Sequence, residues 1–221
     1  GMMTANAPEQ LEWSGKNGAE ERFFCMTAEP GASFEEELHS LMTRYRNLGG
    51  GEEDEFLLRF HVSDSARQSA ALRRMIGERN SYVSMVGQPP ANGARVALEA
   101  WHIGGMLGKR HMAEQGGTVV EALRAHYRLF LAGKREFSSP DSCGQMREEF
   151  RWLDRIAALQ GGAVPDLIHR TWIYCRDIDN NYRGLVEGRN GCFDRYGLTP
   201  ESHFIASTGI EGCTELPGRL L

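Results

Sequence analysis

FIASTGI, residues 204–210, repeats in outline an earlier stretch of the chain, YVSMVGQ, residues 82–88. Each runs aromatic, apolar, small, two variable residues, glycine. Tyr82 is thereby set against Phe204 and Gly87 against Gly209, at a common spacing of 122 residues. Self-similarity at one spacing marks duplicated structure and is read before local propensity. The test is whether the elements around the two stretches repeat as well.

Residues 1–20 are polar and are expected to form a flexible N-terminal arm, and ERFFCMTA (21–28) has strand composition. Pro30-Gly31 breaks that strand. Ser33 followed by Glu36 has the spacing of a capping box, and Phe34, Leu38, Leu41 and Tyr45 recur at helical period until Gly49-Gly50-Gly51. FLLRFHVS (56–63) is a second strand. Asp64 or Ser65 caps a helix carrying Ala71, Leu72, Met75 and Ile76, and YVSMVGQ is a third strand. ARVALEAWHI (94–103) alternates Val96, Leu98 and Ala100 with Arg95, Ala97 and Glu99, as a half-buried strand does. Residues 21–103 make one β-α-β-α-β-β half.

GGMLGKRHMAEQGG (104–117) is glycine-rich and is expected as a linker. Its GGMLGK lacks the spacing, and the hydroxyl residue after Lys109, that a phosphate loop needs. The order of elements then recurs. GTVVEALRAHYRLFLAGKRE (117–136) reads as a strand or hairpin. Asp141 caps a helix striped with Met146, Phe150, Leu153 and Ala157, and DLIHRTWIYCRDI (166–178) is a strand. Asp179 caps a helix with Tyr182, Val186, Arg189 and Phe193 on one face, closed by Gly197. SHFIAS (202–207) follows, with a turn expected at Thr208-Gly209 and Glu211 just beyond it.

The second half, 118–221, has no counterpart of ARVALEAWHI, because PGRLL (217–221) supplies only the opening of such a strand. SHFIAS is expected to expose an edge, met by the N-terminal arm, by a neighbouring chain, or by irregular structure after Gly209. The expected fold class is α+β: two tandem halves, each a sheet with two helices on one face.

The chain's 221 residues can bury roughly 70% of their unfolded surface. Apolar residues make up 41% of it, and no apolar run approaches the ~20 residues of a membrane helix. GMMTANAPEQ has neither the basic nor the apolar region of a secretory signal, and Gly1 before Met2 reads as a cleavage scar. The five cysteines are widely spaced without a CxxC, so a cytoplasmic chain without disulfides is expected. The seven scattered histidines form no HExxH, and neither a metal nor a cofactor is expected. A net charge of −5 lacks the basic stripe that a nucleic-acid partner requires. A membrane partner is likewise not expected.

The second half, HRTWIYCRDIDNNYRGLVEGRNGCFDRYGLTPESHFIASTGIEG, resembles the Rid (YjgF) superfamily, and within it the chorismatase-like branch. The supporting features are the RTW-Y strand, the D-I that follows it, the helix with Y…R-N…F, and the strand ending A-S-T-G-I. The resemblance covers residues 118–212 closely and 20–103 through element order. It implies a chorismate mutase-like fold in each half, a homotrimer with clefts between subunits, and a small carboxylate metabolite as ligand. It implies a chorismatase-like hydrolase, with a catalytically degenerate small-acid binding or assembly protein as the alternative. Ordinary Rid deaminases hold the substrate carboxylate with the arginine of a P-x-R-S motif. Here that motif reads Pro200-Glu201-Ser202-His203, with Asn80 at the matching place in the first half, which counts against enamine or imine deamination. The branch's proton-transferring acid lies C-terminally, in a region this chain is expected to lack in part.

Candidate residues follow from spacing and chemistry. Arg170, Trp172 and Tyr174 alternate on one strand and share a face, suited either to an unsaturated ring with its carboxylate or to a subunit interface. Arg189, on the apolar helix stripe, either forks onto a ligand carboxylate or lies along Phe193 and pairs with Glu187 or Asp194. Thr208 and Gly209 can hold a carboxylate while Glu211 moves a proton, or the three form a turn with a solvated glutamate. His203 is either a base or an ordinary surface or core histidine. Cys175 and Cys192 read as small buried hydrophobes.

Overall fold

The computed structural model describes residues 10–14, 20–51, 53–114, 116–123, 128–134, 137–159, 161–162, 170–175, 178–196 and 206–211, with β1, β9 and β10 described by backbone alone. The chain divides into two units, Gly1–Met112 with Val119–Leu131, and Ala113–Thr118 with Ala132–Leu221.

In the first unit, β1 (Gln10–Ser14), β2 (Glu20–Thr27), β3 (Glu55–Val62), β4 (Tyr82–Gly87) and β5 (Val96–Ile103) form one sheet in the order β1-β2-β5-β3-β4. β3 and β4 are parallel, and the other pairs are antiparallel. The crossover between β3 and β4 is α2 (Ser65–Ile76), and α1 (Phe34–Asn47) joins β2 to β3. Both helices start where the capping residues predict. Ser33 Oγ accepts from the Glu36 N–H at 3.2 Å, and Glu36 Oε2 accepts in return from the Ala32 N–H. Asp64 Oδ1 accepts from the Arg67 N–H. Such caps contribute about 1 kcal/mol each. Gly49, at φ 93°, takes the left-handed conformation beyond α1.

The apolar stripes of both helices lie on one sheet face. Phe34, Leu38, Leu41 and Tyr45 of α1 and Leu72 and Ile76 of α2 pack on Phe24, Leu58, Phe60, Met85 and Leu98. The register of β3 against β5 shifts between Glu55 and Leu57. The extra residue leaves Phe56 outside this core and in a second cluster with Ile103, Val120 and Ala122, flanked by Trp101 and Leu131.

The stretch 104–117, expected as a linker, instead contains β6 (Gly108–Glu114). With β7 (Gly117–Leu123) and β8 (Arg128–Lys134) it makes a three-stranded sheet in the order β6-β7-β8. The glycines there mark turns, Gly105 at φ 69° and Gly116 at φ 76°, and do not mark a flexible tether. Lys109 donates to the Glu55 carbonyl. Val120 and Ala122 are fully buried against the first unit's second cluster, which anchors this segment. The N-terminal arm is corrected in part too, since Gln10–Ser14 is a strand paired to β2.

In the second unit, α3 (Ser142–Leu159) packs on α4 (Ile178–Arg195) through Met146, Phe150, Ala157, Cys192 and Phe193. Asp141 Oδ1 accepts from the Gly144 N–H at the start of α3, as a cap does. Asp179 lies inside α4 and does not cap it. Gly197, the strand residues 166–169 and 202–205, and the stretch 212–221 with PGRLL lie outside the described residues.

β9 (Arg170–Cys175) and β10 (Ala206–Glu211) run parallel across the α4 crossover. The turn expected at Thr208-Gly209 is absent, because the ladder continues through Glu211, which stands opposite Cys175. Residues 210–211 continue the ladder, and among the described residues β10 pairs with β9 alone. In the first unit β5 lies between β2 and β3 and leaves β4 at the sheet edge. Among the described residues β9 has only β10 beside it.

Aligned on the sequence repeat, the two parallel pairs each carry an arginine at the same level, although β3 and β9 are then 111 residues apart and β4 and β10 are 122. Arg59 stands opposite Ser84 in one, and Arg170 opposite Ala206 in the other. Ser84 and Ala206 are separated by the same 122 residues as Tyr82 and Phe204.

Candidate functional site

Six of the residues singled out from the sequence lie on the β9–β10 ladder. Arg170, Trp172 and Tyr174 occupy alternate positions of β9, opposite Ala206, Thr208 and Ile210. The ladder brings Thr208 beside Trp172 and Gly209 beside Ile173. It sets the Arg170 and Glu211 backbones at opposite ends, roughly 16 Å apart for five strand steps.

Arg189 is on α4, where Gly184, Gly188 and Cys192 make the contact with α3. A methyl on Gly188 would lie 2.8 Å from the Cys143 carbonyl oxygen. Arg189 is half-buried at the margin of that contact. Its guanidinium lies 5.9 Å from the Phe193 ring centroid and donates to Asn190 Oδ1. Glu187, one partner considered for it, is taken by Arg183 at 2.8 Å. The Cys192 thiol is buried, and burial raises its pKa, in keeping with a packing role.

The first unit holds two polar clusters that sequence reading did not pick out. One lies on the sheet face turned away from α1 and α2. Glu99 Oε2 meets Arg59 Nη1 at 3.3 Å and His61 Nε2 at 3.0 Å, while His61 Nδ1 lies 3.0 Å from Gln88 Oε1. The His61 hydrogen bond, then the charges of His61 and Arg59, hold the Glu99 carboxyl below its usual range. Cys25, opposite Glu99 on β2, has its thiol pushed up by burial and by that carboxylate, which makes it a poor nucleophile. Two register positions along, Trp101 stands opposite Phe23, and the two rings stack at 5.8 Å. The alternation of Arg59 with His61 in FLLRFHVS was the available signal.

The other cluster is buried and centred on Glu55. Its carboxylate accepts from Tyr45 O–H at 2.7 Å, Ser81 O–H at 2.8 Å, and Arg79 Nη1 at 3.0 and 3.1 Å. Arg22 Nη2 reaches His102 Nδ1 at 3.4 Å and can only donate, so Nδ1 accepts and the ring proton sits on Nε2. His102 Nε2–H then donates to the Tyr45 oxygen, and the Tyr45 proton goes to Glu55. Burial, with Arg22 and Lys109 nearby, pushes His102 down to about 4, so the ring is neutral at pH 7. Burial and the Glu55 charge raise Tyr45 far above a phenol's usual value. With every member partnered and the carboxylate fully covered, this network braces the sheet; it is not an open site.

The fold and these clusters define a mixed α+β protein built from parallel strand pairs with helical crossovers, carrying arginine at matching register positions of β3 and β9. A chorismatase crystal structure matches 87% of this chain at a TM-score of 0.53 with 16% sequence identity, a likeness of fold. The chain spans about half the length of that chorismatase, 50%. No family model matches the chain, and no curated protein matches it. No described helix is long and apolar enough to cross a membrane, and no metal-binding group occurs among the described residues.

Proposed function

We propose that the chain is a Rid-superfamily protein of the chorismatase-like branch, with two tandem halves, which binds a small carboxylate metabolite and hydrolyses it. The observation that carries this reading is the chorismatase likeness over 87% of the chain. The alignment of FIASTGI with YVSMVGQ supports the duplication, because it also sets Arg170 of β9 at the level that Arg59 has on β3. Arg170 holds the ligand carboxylate by a charge-assisted fork, and Trp172 and Tyr174 flank an unsaturated ring. Arg189 and the Thr208-Gly209 segment belong to the same ligand site. Glu211 is the general acid.

Glu211 stands opposite Cys175, at a position of the other strand face from Arg170, Trp172 and Tyr174, so its general-acid role is the part of this reading that the Glu211→Gln assay tests. In hydrolysis of an enol ether such as chorismate's, the acid protonates the methylene carbon. Water adds to the resulting oxocarbenium carbon, and the hemiketal collapses to pyruvate and the ring alcohol. A homotrimer with the cleft at its subunit interface goes with this reading.

The test combines titration with benzoate and an assay of pyruvate released from chorismate. Arg170→Ala should weaken benzoate binding at least tenfold, corresponding to about 1.5–3 kcal/mol for a charge-assisted bond. Glu211→Gln should abolish release and spare binding. Binding without turnover in the unaltered chain would favour the small-acid binding or assembly role. Equal benzoate affinity in the Arg170→Ala variant would overturn the site.

A further inference from the structure

We infer that the first unit contains a carboxylate subsite at Arg59 and His61, occupied by the chain's own Glu99, which a small planar carboxylate enters by exchanging with that side chain. The inference rests on the small-carboxylate reading and extends it to the sheet face away from α1 and α2.

Four observations converge. Arg59 and His61 direct Nη1 and Nε2 at the same oxygen, Glu99 Oε2. The two cationic or proton-donating partners are built in, with side chains only 14% and 15% exposed, whereas the Glu99 side chain is 45% exposed. The donors are thus a fixed cradle, and the acceptor is the part that can swing into water. Gln88 Oε1 lies 3.0 Å from His61 Nδ1 and holds the ring with Nε2 toward the carboxylate.

Next, aromatic surface borders the cradle. Trp101 and Phe23 stand two register positions from Glu99, on the same strand face, and stack nearly parallel, at an interplanar angle of 14°. The Trp101 indole N–H is buried and has no hydrogen-bond partner among the described residues. Finally, Arg59 has the same register position on β3 that Arg170 has on β9. One half thus shows the arginine already engaged by a carboxylate. Exchange of one carboxylate for another conserves the charge of the cradle.

The experiment titrates benzoate, with benzamide as the neutral isostere, into the full chain and into Glu99→Ala, reading the His61 ring nitrogens by NMR. The expected result is at least tenfold tighter benzoate binding in Glu99→Ala, with His61 Nε2 shifting on titration and benzamide silent. In the unaltered chain the same resonance should shift only at high benzoate concentration. Should Glu99→Ala fail to fold, Glu99→Gln keeps the shape, removes the charge and is judged by the same criterion. Absence of a carboxylate-selective His61 shift in the folded variant, or an equal response to benzamide, overturns the subsite. Arg170→Ala is run alongside. A gain at His61 that persists while Arg170→Ala leaves benzoate binding untouched sinks the second-unit site and not this one.

Discussion

At the scale of single residues, the most consequential group is His102. Its ring is neutral in the folded chain, held down to about 4 from an ordinary 6.5 by burial and by Arg22 and Lys109. An unfolded chain protonates this histidine near pH 6.5, and the folded chain resists until about pH 4. Stability from this group is therefore complete above pH 6.5 and declines as the pH falls toward 4. The loss by then is about 2–3 kcal/mol at most. Urea denaturation across that range should show the decline, and His102→Gln should flatten it; an unchanged slope would assign the decline to other groups. Glu55 supplies a second test. Its carboxylate is paired with Arg79, whose side chain is 8% exposed, so Glu55→Gln removes the charge of a buried ion pair. A loss of about 3–5 kcal/mol is expected by denaturant midpoint.

At the scale of elements, α3 and α4 owe their approach to glycine. Gly188 faces Cys143 O at 2.8 Å and Met146 Cβ at 2.9 Å, counted from the position of an added methyl. Backbone cannot yield there, so Gly188→Ala should cost about 1–3 kcal/mol despite the better helix propensity. Gly191, three residues along the same helix, has nothing within 4 Å of such a methyl. Gly191→Ala should stabilise by up to about 1 kcal/mol. Thermal midpoints moving in opposite directions for the pair would establish the packing face, and a shared direction would refute it. Helical period correctly placed Val186 and Phe193 against α3. It overrated Arg189, because glycine carries no apolar weight in a periodicity although Gly184 and Gly188 are where the helices meet.

At the scale of the whole molecule, the division into two units and the arginines at the same level of β3–β4 and β9–β10 bear on how the chain came to be and what it binds. The proposed trimer is checked by light scattering at micromolar concentration, where a stable monomer would count against a cleft between subunits. The expected three-fold mass should be insensitive to salt if the buried interface is mainly apolar.

Strand and helix periods, and the capping residues Ser33 and Asp64, were enough to place β2 through β5 with α1 and α2. Local backbone chemistry decides those elements, and each lies close in sequence to the residues that end it. YVSMVGQ was likewise legible as a strand, and Gly209 as the residue that the sequence sets against Gly87. Its conformation was not: glycine next to threonine suggests a turn, and only pairing with Ile173 of β9 keeps it extended. The same holds for GGMLGKRHMAEQGG, where pairing of Gly108–Glu114 with β7 makes a strand of a glycine-rich stretch. The meeting of Glu55, Tyr45, His102 and Arg79, and of Glu99 with Arg59 and His61, joins residues up to 57 positions apart through sheet order and register. Periodicity says which face a side chain takes. Which side chain waits opposite depends on strand order and register, and the tertiary fold alone decides those.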